Sequence, residues 1–203
     1  MRQVLSPPET AKTETHTRGG ILLRLRRFVE DRRGVGAIEF AIVAPLLIMA
    51  YIGAFEITVA INASRKVNRA SATVSDLLTQ DQTTEKATLD MMPDLIKKIL
   101  DPVVVGSTYT MKITGIAVAA DGKATVAWSR DQAKGTPYPK GNTVTLPSEM
   151  DAKSTFIVRT ELTVPYKILL LAPKLDTQIN NIKLSRTSYF RQRVGEKIDC
   201  TDC

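Results

Sequence analysis

The apolar positions of this chain fall into three regimes. From Val35 to Ile61 (VGAIEFAIVAPLLIMAYIGAFEITVAI) they follow one another almost without a break, interrupted only by Glu39 and Glu56. A helix on the surface of a soluble core keeps one polar face, and this run has none. Its 27 residues, rising ~1.5 Å each, give a rod of roughly 40 Å, longer than the ~30 Å hydrocarbon core of a bilayer. The run therefore reads as a membrane-spanning helix. Beyond it the period becomes 3.6. Val67, Ala70, Val74 and Leu77 form a stripe, with Arg65, Lys66 and Arg69 on other faces. The spacing predicts one helix from about Ile38 to Leu78, its second half packing the stripe onto a following domain. A second helix is expected over Thr84–Leu100, with Thr84 as its N-cap, Glu85 in its first turn, Pro93 as a point of division and Pro102 as its stop.

After Pro102 the period drops to two. Thr108–Val118 alternates, with Tyr109, Met111 and Ile113 on one side and Gly115 marking a bulge. Asp121-Gly122 is a tight-turn signal, and Ala124–Ser129 alternates again through Val126 and Trp128, so the pair predicts a hairpin. A polar Gly/Pro-rich loop fills Arg130–Pro147. Thr155–Tyr166 and Ile182–Arg193 are further strands, with a short apolar piece, Ile168–Ala172, between them. The expected fold is α+β: a long N-terminal transmembrane helix continuing into an exported domain whose antiparallel sheet has about four strands. The boundaries are a basic leader (1–34), the span (35–61), a helical region (62–101) and a β-rich domain (102–203). Lys140–Ser148 and Lys167–Leu175 are contact-surface candidates, the second either core or a docking patch.

Charge sharpens this picture. The 203 residues carry +7 overall. Residues 1–34 hold eight Lys/Arg against four acids, +4; the other 169 hold 20 against 17, +3. The excess thus sits ahead of the apolar run, where it keeps the N-terminus cytoplasmic and sends the body out. A conventional signal peptide has a shorter apolar region of about 7–15 residues. No RNP-like aromatic arrangement accompanies the strand arginines 186, 191 and 193, so they read as solvated and no nucleic-acid partner is expected.

The chemistry is sparse. The single histidine, His16, lies in the leader, and the two cysteines are Cys200 and Cys203. A Ser-His-Asp or Cys-His site has no placed histidine, and no His/Cys cluster offers a zinc tetrad. Neither GxGxxG nor GxxxxGK[ST] occurs. No enzyme activity, cofactor, metal or small-molecule substrate is expected. In an exported, oxidising compartment the Cys-x-x-Cys pair defaults to a disulfide, with an intermolecular bridge as the alternative.

Two residues of the apolar run call for explanation. Glu39, if it lies deep, costs ~2.5–3.5 kcal/mol on insertion scales. It therefore sits at the headgroups or meets a cation from another subunit. Pro45 removes a helical hydrogen bond and predicts a kink or loosened turn near Ala41.

Arg32-Arg33-Gly34, then Val35-Gly36-Ala37-Ile38-Glu39-Phe40, then Ala41-Ile42-Val43-Ala44-Pro45, resembles the start of a TadE-like pseudopilin, the minor pilin class of the tight-adherence (Tad/Flp) type IV pilus systems. That pattern is a basic leader, a glycine before the cut, a glutamate at the fifth mature position and an aromatic at the sixth. Gly34, Val35, Glu39 and Phe40 match it. The resemblance implies a pilin-like fold and cleavage between Gly34 and Val35 by a prepilin peptidase. It implies major and minor pilin subunits and the Tad assembly platform as partners, and the bacterial inner membrane as the location. It also implies that Glu39 meets the free amine of a neighbouring subunit. A glycine, ~1 kcal/mol averse to helix, frays the segment where cutting must occur. The Asp-x-Ser-x-Ser metal motif of larger von Willebrand-type relatives is absent. The competing reading is an uncleaved, single-pass anchored domain that recruits a partner.

Overall fold

The computed structural model describes residues 34–102, 109–150, 153–167 and 182–203. The leader and most of the Lys167–Leu175 patch lie outside the described residues. The chain divides into two compact units, residues 1–49 and 50–203. One helix, α1 (Val35–Leu78, 44 residues), supplies the described part of the first unit and enters the second. It begins three residues before the expected start and runs unbroken through Pro45. Among the described residues it is the one helix long and apolar enough to cross a membrane, and its most apolar window is wholly unburied.

In the second unit α1 buries Glu56, Ala63, Val67, Ala70, Ser71, Val74, Ser75 and Leu78. Leu77, expected in the stripe, is instead 40% exposed. The reason is rotation: at ~100° per residue Leu78 returns to within about 20° of Val67, whereas Leu77 falls about 80° away.

Four more elements follow: β1 (Thr83–Thr84), α2 (Lys86–Leu100), β2 (Thr110–Val118) and β3 (Ala124–Asp131). After a 3-10 turn at Ser148–Met150 come β4 (Thr155–Tyr166), β5 (Ile182–Arg191) and β6 (Asp199–Cys200). The four long strands form one antiparallel sheet in the order β3-β2-β4-β5, so the expected α+β architecture with four antiparallel strands is found. The Asp121-Gly122 turn closes the first hairpin, with Gly122 at φ 87° and its amide donating to Ala119. Thr84 does not cap α2. It is drawn into a parallel pairing with Cys200, and Glu85 takes the N-cap position without a side-chain bond. Pro93 does not divide α2; its carbonyl accepts from Tyr109 Oη at 3.0 Å.

The main core lies between the helices and one face of the sheet: Val67, Val74, Leu89, Ile96, Met111, Ile113, Trp128, Val158 and Leu162 among others. Hydroxyls thread it where α1 crosses β4 and β5. Ser75 donates to Thr160 at 2.8 Å, and Ser71 and Ser188 share a bond of 2.7 Å. Arg186 Nη2 donates to Ser64 at 2.8 Å. On the other side α2 is pinned to β3 by Asp90, whose two oxygens accept from Arg130 at 2.8 and 3.0 Å.

A smaller cluster covers the opposite sheet face, with Val144, Leu146 and Met150 packed on Ile116, Val118, Ala124 and Ile157. The Lys140–Ser148 loop therefore spends part of its apolar surface on its own sheet. The register of β2 and β3 shifts between Gly115 and Ile116, at the expected bulge. Trp128 pairs with Gly115 and Val126 with Ile116, leaving Ala127 as the extra residue. Val126 and Trp128, expected on one face, thus lie on opposite faces, because the extra residue inverts the alternation.

Candidate functional segment and C-terminal clasp

Two places gather the residues singled out by the sequence. The first is the start of α1. Gly34 precedes the helix and Val35 opens it, 47% exposed. A Cβ added at Gly34 or Gly36 would meet nothing within 4 Å. No packing among the described residues therefore requires glycine at either place. Glu39 is exposed and makes no hydrogen bond or ion pair among the described residues. Phe40 is 69% exposed, and the apolar side chains from Ile42 to Met49 stand similarly open. Pro45 lies within the helix, where its ring opposes the carbonyl of Ala41. A surface this apolar is not stable in water alone; it calls for lipid or for other apolar helices.

The TadE-like protein family matches the chain over residues 34–76. The chain carries a TadE-like segment. That segment begins at Gly34, takes in Val35, Glu39, Phe40 and Pro45, and ends two residues before α1 does. It spans both the exposed apolar half of the helix and the stripe that packs on the sheet. No curated protein and no solved structure matches the chain.

Glu56 behaves unlike Glu39. Both interrupt the apolar run, but Glu56 is only 6% exposed, buried within the second unit. Tyr166, at the end of β4, is buried with it. Burial, and after it the charge of Glu56, raises the phenol's pKa above its ordinary value near 10. Sequence periodicity could have flagged this: Glu56 lies eleven residues, three turns, before Val67 on the same stripe.

The second place is the C-terminal clasp. Cys200 and Cys203 are joined by a disulfide, with Cα atoms 5.5 Å apart. Three contacts hold this tail to the domain. The β1–β6 pairing is one. The second is Asp202 Oδ1, which accepts from the Lys86 amide at 2.8 Å and so makes the capping bond that the Glu85 side chain does not. The third is Trp128 Nε1, which donates to Ile198 O at 2.8 Å. Cys200, Asp202 and Cys203 converge closely enough to hold a metal ion, but the sulfurs are bonded to each other and Asp202 is engaged at the helix. The clasp is therefore a structural device. Its contacts to Lys86 and Trp128 join residues more than 60 positions apart, which no local pattern signals.

Proposed function

We propose that the chain is a minor pseudopilin-type subunit of a Tad/Flp-type pilus, with no enzymatic role of its own. It is anchored in the bacterial inner membrane by α1, with its N-terminus cytoplasmic and its C-terminal domain exported. A prepilin peptidase cuts it after Gly34, and it then contributes to pilus assembly, adhesion or biofilm formation alongside other pilin subunits and the assembly platform. The observation that carries this reading is the TadE-like match lying on a helix start that its own domain leaves uncovered. Glu39 then waits for the free amine of a neighbouring subunit, and Pro45 loosens the turn at Ala41. The membrane-embedded part of α1 is Val35–Phe55: about 32 Å of helix, which matches the hydrocarbon core better than the full run to Ile61 does.

Intact mass and N-terminal sequencing of the membrane-extracted protein test the reading. The expected chain begins at Val35 and has lost the +4 leader. A chain that keeps Met1–Gly34 in the presence of a matching prepilin peptidase favours the uncleaved, partner-recruiting anchor instead.

A further inference from the structure

Two hydrogen bonds and one electrostatic interaction show how the second unit is oriented along its part of α1. Ser75 meets Thr160 on β4. Ser64 meets Arg186, which pairs with Leu162. Glu56, the first buried residue of the helix, lies within reach of Tyr166. Moving down α1 from Ser75 to Glu56 is thus moving up β4 from Thr160 to Tyr166. The end of the sheet level with Glu56 is the end of β4 and the start of β5, where Tyr166 pairs with Ile182 and Pro165 with Lys183.

That end is basic. Lys167, Lys183 and Arg186 are exposed there, and Arg65 and Lys66 lie one turn or less above Ser64 on α1. Helical side chains lean toward the N-terminus, so both of these point down toward the same end. The nearby acids are Glu56, which is buried, and Asp101, whose carbonyl oxygen accepts from Lys66 Nζ at 2.6 Å. The opposite end, where β1 and β6 pair, carries Asp81, Glu85, Glu196, Asp199 and Asp202, balanced by Lys86, Lys140, Arg191, Arg193 and Lys197. The unit is therefore basic where the apolar helix enters and balanced in charge at the far end. Cations on the exported side of a span are not there to set topology, which the leader already does.

We propose that this basic collar, Arg65, Lys66, Lys167, Lys183 and Arg186, seats the exported domain on anionic phospholipid headgroups of the membrane that anchors it. This rests on the anchored reading of α1. A lipid surface is the partner favoured because the apolar helix enters the domain at this end, so the bilayer is the first surface the collar faces. The headgroup layer adds roughly 5–7 Å beyond the hydrocarbon on each side, which brings the long cationic side chains within a Debye length of ~8 Å.

The single tryptophan, Trp128, provides the readout. The full chain is inserted in phosphatidylcholine liposomes, with or without phosphatidylglycerol, each doped with a dansyl-headgroup lipid, and energy transfer from Trp128 is measured. Greater transfer in the anionic liposomes is expected. That excess should vanish in about 1 M salt, where screening reaches ~3 Å. The double variant Lys167→Glu/Lys183→Glu should lose it, and Lys197→Glu at the far end should keep it. Circular dichroism melts confirm that these exposed substitutions leave the fold intact. Equal transfer in the two lipids, with the chain resisting alkaline extraction, overturns the proposal while leaving the anchor standing. Transfer that rises with chain density but not with anionic lipid assigns the collar to another subunit, and also overturns it. A chain stripped from both liposomes by alkaline carbonate removes the anchored reading first.

Discussion

At Gly115 a hydrogen is the only side chain that fits. A Cβ built there would lie 2.7 Å from Trp128 Nε1, against an indole that is itself fixed by its bond to Ile198 and its contact with Phe156, ring centroids 6.3 Å apart. Gly115→Ala should therefore overpack the core by about 1–3 kcal/mol and loosen the tail held by Trp128. Equilibrium denaturation checks it; an unchanged midpoint would mean that the indole moves freely. Asp90 poses a different case. The hydrogen bonds from Arg130, ahead of its charge and that of Lys134, hold the carboxyl below the ordinary carboxylate range, against the opposing effect of burial. A depressed folded value means that the stabilisation is present above pH ~4 and is lost as pH falls through the lower, folded value. Asp90→Asn should flatten that acid limb of the stability curve, and an acid limb of undiminished slope would remove Asp90 as its source. Glu39 is argued from the other direction, since it makes no hydrogen bond or ion pair among the described residues. Glu39→Ala should insert and be cut normally yet assemble poorly, read as cleaved subunit in the membrane with few pili. Normal piliation would end its role between subunits.

At the scale of elements, the clasp is held by more than its disulfide. The ring it closes is short, so the chain-entropy contribution is about 2 kcal/mol at most. The β1–β6 pairing, Asp202 at the head of α2 and the Trp128 bond to Ile198 act independently of it. Mild reduction should thus lower the melting temperature by no more than about 8 °C, in a single cooperative transition. A separate early transition on reduction would show that the disulfide alone secures the tail. The same elements show what was legible in the sequence. Strand β4 was read to its end residues, Thr155 and Tyr166, because alternation and a flanking turn both marked it. The bulge was readable from Gly115, but its consequence was not. Which face Trp128 takes depends on where the extra residue lies in the partner strand, and that is a property of the pairing. Thr84 failed as a cap for a like reason. Its competing partner, Cys200, lies 116 positions away, and a local capping signal cannot weigh a strand that arrives from the far end.

For the whole molecule, the proposed anchor makes the two carboxylates in the apolar run the markers of where the membrane stops. A run of 27 apolar-rich positions could be taken as one span, with both glutamates paying an insertion cost in lipid. The domain removes Glu56 from that reckoning by enclosing it, and leaves Glu39 for a partner. In the proposed reading, Ile57 and Ile61, one and five residues further on and both exposed, lie above the hydrocarbon edge despite being apolar, and the Val35–Phe55 segment alone is left to the bilayer. This distinguishes the two lengths directly. Ile57 and Ile48 are both open in the chain itself, 63% and 58% exposed, so neither is shielded by its own fold. In intact spheroplasts a membrane-impermeant maleimide should label Ile57→Cys, while Ile48→Cys should react only after detergent. The native cysteines do not compete, since their sulfurs are bonded to each other. Equal protection of both positions would place the boundary beyond Ile57 and put Glu56 and its domain contacts at the depth of the lipid tails. That arrangement would also set Lys167 and Lys183 below the headgroups, so the labelling result bears on the basic collar as well as on the span.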